Sequence, residues 1–443
     1  MLAVLRQRNF GLLWVGQNIS MIGDWVLFVA LPFYIYVLTG STFATGVMFI
    51  VQTLPRLFFG PLAGVFVDRW NRKYTMVIAN VIQALLLLPL FLVRSHDLIW
   101  IIYICAFSDA LVSQFFNPAQ TAIIPMLVEE KDLVVANSLN SMSQELTRLV
   151  GPSLGGLLFG LIGIGSVITL DVISFIFSAA LVALIIIPTQ PATAKQEQQP
   201  VSTTRNSPVQ SVVKVWQEWL DGMRLVKREQ LVSAIFVIIG FAMVGEGIIE
   251  VLIAPYVERI LHGTPLELGW LMSAQAIGGI LGSLAIPRLS KHIRPGRLMG
   301  MCGLVFSSVI VVLAVFPTLY VILPLIAFAG AGAVGFFIPM LTLLQSHVAN
   351  EYQGRIFGAL SAIQAVAMLF GMSMASGLGD RIGIIPMLLM DASFNFLAAL
   401  LAFVLIQVAR PVAESATENT PVLEGVLENV EIMAHSAPDT GTH

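Results

Sequence analysis

Glu246 and Glu250 stand one helical turn apart in an otherwise apolar run, and Asp24 and Asp109 each interrupt another. An ionised side chain at mid-membrane costs at least ~2.5–3.5 kcal/mol, so an acid kept in such a place has a task, and holding a proton or a cation is the simplest one. At this spacing Glu246 and Glu250 share a helix face. Neighbouring carboxyls couple their protonation, which is what a carrier needs in order to load and release protons near neutral pH. Two readings stand for Asp24, with Asn18 about a turn and a half before it: a proton or cation site, or a hydrogen-bonded structural acid beside Trp25. Asp109 is a further candidate, followed in its run by Gln114, Phe115, Phe116 and Asn117. Glu250 has the alternative of reaching the outer headgroup zone, where water would solvate it.

Two arginines share this setting. Arg148 follows Glu145 at i, i+3, close enough for the pair to neutralise each other along one helix. Arg56 follows Pro55 with no acid nearby in sequence, so it is expected to pair with an acid on another helix or to face an aqueous cavity and an anionic substrate. Cys105 and Cys302 lie apart in apolar runs and the six histidines form no cluster, so neither a metal site nor a disulfide framework is expected. No GxxxxGK[ST] loop is present to cradle ATP, and no Ser/His or metal constellation marks an enzyme; no cofactor is implied. A net charge of -3 argues against a nucleic-acid partner.

The elements that hold these residues follow from composition. With 57% hydrophobic and 11% charged residues, the chain is far too apolar for a soluble protein. About 20 apolar residues span a bilayer as a helix, and twelve such runs occur: about 10–38, 43–67, 74–93, 98–118, 137–160, 163–187, 231–258, 267–288, 297–315, 318–343, 355–378 and 384–407. The fold class expected is all-α, a polytopic membrane protein with twelve transmembrane helices in two six-helix bundles. Residues 1–187 form the first bundle and 231–410 the second. Between them, 188–230 reads as a cytoplasmic linker that starts rich in Pro, Thr, Gln and Lys and ends in an amphipathic helix, with Trp216, Trp219 and Met223 at helical spacing. Residues 411–443 read as a disordered acidic tail. The first apolar run is too long for a signal peptide and is taken as an uncleaved span.

Orientation rests on charge. With both termini cytoplasmic, all but five of the 23 lysines and arginines fall inside: Arg94, Arg259 and Arg381 lie outside, and Arg56 and Arg148 lie within spans. Weak internal repetition agrees with two equivalent halves. Asp171-Val-Ile-Ser-Phe175 in the sixth span is answered, with a slip of one residue, by Asp391-Ala-Ser-Phe394 in the twelfth.

One stretch joins packing to topology. Gly60, Gly64 and Asp68 recur at i, i+4 and i+8 on one helical face, where missing side chains let another helix approach, and Arg69, Arg72 and Lys73 follow at once. Gly278 and Gly282 precede a similar basic turn that lacks the acid. The chain resembles the major facilitator superfamily, whose loop motif between helices 2 and 3 matches Gly60–Lys73. Its efflux branch, which includes macrolide-efflux proteins and the enterobactin exporter, is resembled at Phe10–Trp14, Ser20–Trp25, Asn117–Gln120, Ala136–Leu139 and Gly151–Gly156. That resemblance implies a cavity lined by helices 1, 4, 7 and 10. It also implies a contact between the bundles in which Gly151, Pro152, Gly155 and Gly156 of helix 5 meet Gly278 and Gly282 of helix 8.

The function expected is secondary active export of small lipophilic or amphipathic molecules, such as drugs, macrolides or siderophore-like compounds, in exchange for protons. The alternatives are a carrier of other direction or coupling, an importer or facilitator, and a non-transporting membrane receptor. The partners expected are a small-molecule substrate, protons and the lipid bilayer of the cell membrane, and the chain is expected to act as a monomer. Asp68 is expected to cap the start of helix 11 or to pair with Arg355, latching the cytoplasmic end shut.

Overall fold

Hydrocarbon offers no water to a backbone amide, so a spanning chain must satisfy its hydrogen bonds within each helix. A computed structural model describes residues 2–67, 69–186, 229–348 and 350–408, and in them twelve helices are long and apolar enough to cross a membrane. They are α1 (Arg8–Thr39), α2 (Thr42–Val67), α3 (Arg72–Leu87), α4 (Ile99–Leu127), α5 (Leu133–Ile162) and α6 (Ile164–Ala183), then α7 (Gln230–Pro255), α8 (Pro265–Leu289), α9 (Pro295–Val315), α10 (Leu319–His347), α11 (Asn350–Ile382) and α12 (Ile384–Val408). The expected spans lie within these helices except at a few ends. The largest difference is in α4, which continues through Pro118 and Pro125 to Leu127 instead of stopping near 118. Neighbouring helices can accommodate the backbone groups a proline frees inside a membrane, so it does not end the helix there. The expected linker with its amphipathic helix, the acidic tail and Asp68 lie outside the described residues.

In the first half α1 packs on α5 and α6, α2 on α4, and α3 on α4 and α6. The second half repeats this order, with α7 on α11 and α12, α8 on α10, and α9 on α10 and α12. Two contacts carry most of the boundary between halves: α5 with α8, and α2 with α11. Single glycines turn the chain at equivalent places. Gly163 joins α5 to α6 at φ 97° and Gly383 joins α11 to α12 at φ 90°, a conformation that side chains disfavour.

Small residues set how closely helices approach. A side chain on Gly156 would strike the carbonyl of Pro265 in α8, and one on Gly269 would strike that of Pro152 in α5, so the α5–α8 contact is backbone to backbone. Ser153 and Ser273 seal it, their hydroxyls 2.7 Å apart, while Ser273 Oγ donates to the Leu149 carbonyl at 2.6 Å. Gly151 and Gly155 face Trp25 and Val26 of α1, inside their own half. Gly278 and Gly282 correct the expectation, since they do not meet α5. They pack on Ala327 and Ala331 of α10. The reason is that α8 touches α5 near its own start, and farther along α10 covers it.

Gly156→Ala and Gly269→Ala are each expected to destabilise the protein by about 1–3 kcal/mol, the usual cost of overpacking. Gly160→Ala, where an added methyl meets nothing within 4 Å, is expected to be silent. Thermal unfolding in detergent compares the three.

Candidate functional site

A cavity of about 230 Å3 lies between the halves. Its walls are mostly apolar, with Trp25, Phe28 and Phe49 on one side and Ile249, Met272 and Phe306 on the other. Trp25 and Phe28 meet edge to face at 5.3 Å, and Phe28 meets Phe49 in the same way at 5.9 Å, so this wall is rigid. Three charged residues line it: Glu246 and Glu250 of α7, and Arg148 of α5 in the opposite half. Arg148 lines the same cavity as Glu246 from across the boundary. It makes no ion pair within 4 Å with Glu145 or any other described acid, so the expected neutralisation within α5 does not occur. One oxygen of Glu250 is buried without a hydrogen-bond partner, and the residue lines the cavity.

Asp24 lies elsewhere. It lines two further cavities inside the first half, of about 210 and 250 Å3. The first also holds Asp109 and Asp171, so α1, α4 and α6 bring three carboxyl groups to one space. Gln83 Nε2 donates to Asp109 Oδ1 at 3.0 Å and to Ser113 Oγ at 3.1 Å. The second cavity is walled by amides, among them Gln17, Asn80, Asn117, Gln120 and Gln144. Asn18 is not among them, because its amide turns back to donate to the Trp14 carbonyl of its own helix at 2.7 Å. Gln17, one residue earlier, faces inward and donates to Asn140 Oδ1 at 3.0 Å. Arg56 lines none of these cavities; it is exposed and has no ion-pair partner within 4 Å among the described residues.

Two buried acids escaped the sequence reading as site residues. Asp171 is 1% exposed and Asp391 0%. Asp171 packs against Gly23 and Asp391 against Gly245, the glycines that immediately precede Asp24 and Glu246. The signal was available in the chain: each aspartate stands eight positions after the turn glycine of its half, Gly163 or Gly383.

The basic turn is tied to its own half. Asn71 caps α3 by accepting from the Tyr74 amide at 3.3 Å, Lys73 Nζ donates to the Ile185 carbonyl at 2.7 Å, and Arg72 reaches Met126 Sδ at 3.2 Å. Trp70 stacks on Phe115 at 5.7 Å, and Arg69 is exposed. Gly60 and Gly64 lie in α2, where a methyl on Gly60 would meet Gln114 of α4. Arg355 is exposed over the Tyr352 ring at 5.7 Å, and Gly354 and Gly358 have nothing within 4 Å of an added methyl among the described residues.

A carboxylate cap crosses the boundary between α2 and α11 at the end of the two helices opposite Asp68, which itself lies outside the described residues. Asp380, near the end of α11, caps the start of α2. The Thr42 amide and hydroxyl donate to its Oδ1 at 2.7 Å each, and Ser41 Oγ and the Phe43 amide donate to its Oδ2 at 2.6 and 3.2 Å. Gly46 packs on Ser376 beside it, and Gly379 on Thr42. The structure is therefore closed at the Asp380 end, where helix-terminal amides meet a carboxylate.

The transmembrane secretion effector family of the major facilitator superfamily matches residues 1–435. The chain belongs to that family. This transporter is 25% identical over 394 residues to macrolide efflux protein A of Streptococcus pyogenes, which covers 85% of this chain and 90% of the relative. It is 26% identical over 396 residues to the multidrug efflux pump Tap of Mycolicibacterium fortuitum, covering 85% and 93%. Among solved structures, its fold is similar to a bacterial homologue of the lysosomal transporter Spinster, inward-facing and unoccupied, with a TM-score of 0.71, 14% identity, and 91% and 97% of the two chains covered. A bacterial homologue of ferroportin gives 0.69 in its inward-facing state at 16% identity, covering 91% and 99%. The same homologue gives 0.55 in its outward-facing state at 17% identity, covering 90% and 100%.

Removing the cap is expected to favour opening at its end. Asp380→Ala loses an N-cap worth about 0.5–2 kcal/mol, a shift of roughly 2- to 30-fold between closed and open forms. Spin-label distances between the Thr42 end of α2 and the Asp380 end of α11 read the change.

Proposed function

We propose that this transporter exports small lipophilic or amphipathic molecules from the cell by exchanging them for protons, with alternating access between two bundles of six helices. The observation that carries this reading is the opposition of Arg148 to Glu246 and Glu250 across the central cavity. Each half contributes one sign of charge, so the attraction across the boundary depends on whether the glutamates hold protons. Protonation weakens it and frees the halves to move apart; deprotonation restores it. That dependence is the physical content of coupling, since a ligand shifts an equilibrium only through its different interaction with the two states.

An apolar, aromatic wall suits a lipophilic substrate, and the names of the macrolide and multidrug relatives are in keeping with export. We take the membrane to be the cell membrane, with both termini and the basic turn in the cytoplasm, and the working unit to be one chain. The Asp380 end is then the outer one, closed in this structure.

The test is uptake of a lipophilic cationic dye into everted proteoliposomes under an imposed pH gradient. Flux should collapse with the gradient, and Glu246→Gln should abolish flux or displace its pH profile. Flux that ignores the gradient removes the antiport reading, and wild-type behaviour of the variant removes Glu246 as the proton carrier.

A further inference from the structure

Asp171 and Asp391 occupy the same place in the two halves, and neither has been given a task above. Each is fully buried, and each leaves its Oδ2 without a hydrogen-bond partner while Oδ1 is held locally. In α6 the holder is Ser174 Oγ at 3.2 Å, whose one hydroxyl proton is shared with the Asp171 carbonyl at 2.8 Å; in α12 it is Asn395 Nδ2 at 2.6 Å. Asp171 packs on Gly23 and lines a cavity with Asp24, while Asp391 packs on Gly245 and its holder Asn395 lines a small cavity with Glu246. The glycines are required, because a side chain at either would strike the carboxyl group.

The charged and titratable surroundings can be named. Around Asp171 stand Asp24 of α1 and Asp109 of α4, with the Cys105 thiol on the same cavity wall and only the neutral amides of Asn80 and Gln83 from α3. Around Asp391 stands Glu246 of α7, with Arg148 lining the central cavity beyond Glu246, while α9 offers only the Ser307 hydroxyl, which donates to the Ala392 carbonyl. No cation lines either cavity of the first half. A buried carboxyl oxygen that lacks a donor is where a proton fits.

We propose that Asp171 and Asp391 are duplicate proton sites, each taking a proton on its unpartnered Oδ2, so that the transporter loads one proton in each half. No bond other than O–H forms or breaks, and the proton comes from and returns to water through the neighbouring cavity. This deepens the antiport reading and rests on it for its purpose, although the sites can be tested without transport.

An infrared pH titration of the reconstituted protein follows the C=O stretching band of protonated carboxyl groups. Asp171→Asn and Asp391→Asn should each remove a separate part of the band that vanishes as pH rises in the wild type, and the double variant should remove both. Asn395→Leu and Ser174→Ala, which keep the acids but delete the groups holding Oδ1, should shift the midpoint of the corresponding part. If an asparagine variant fails to fold, its partner variant decides, and an unmoved midpoint overturns the site. Loss in one half only overturns the duplication, and a component that never changes with pH makes the acid structural. Dye flux indifferent to the gradient, with both acids titrating as described, would instead sink the antiport reading and leave the two sites standing.

Discussion

Hydrocarbon neither hydrogen-bonds a stray amide nor screens a charge, and most of this structure follows from that. The backbone closes its bonds within helices, and helices surrounded by lipid gain little from hiding apolar side chains from one another. What holds them is close approach. The α5–α8 contact is possible because Gly156 and Gly269 present bare backbone to the carbonyls of Pro265 and Pro152. Polar closure is added only where helix ends leave donors free, as at the start of α2 under the Asp380 carboxylate.

These two kinds of contact divide the work. The glycine contact fixes how near the halves can come, and the carboxylate cap is made of bonds that water can replace when the helices part. Both lie toward the same end of the molecule. At the other end, Lys73 and Arg72 of the basic turn bind within the first half, to Ile185 and Met126.

Most of the fold was readable from the chain, because a span of about 20 apolar residues has one meaning in a membrane. The site was less so. Helical spacing placed Glu246 and Glu250 together correctly, since it is a rule about one helix. The same rule paired Arg148 with Glu145 and missed that it lines one cavity with Glu246, which depends on two helices far apart in sequence. Asn18 and Gln17 differ by one position, about 100° of helix, and apolar pattern alone could not say which faced inward. Gly278 and Gly282 offered a smooth face without naming the partner that would use it, and the partner is α10.

The turn glycines carry a further consequence. Gly163 and Gly383 start α6 and α12 at the same end of the molecule, and Asp171 and Asp391 each follow by the same number of residues. At 1.5 Å per residue both acids lie about 12 Å along their helices. Equal distance from the turn gives each half a buried carboxyl at the same register along its helix. The two halves are thus matched in where they bury an acid as well as in how their helices pack.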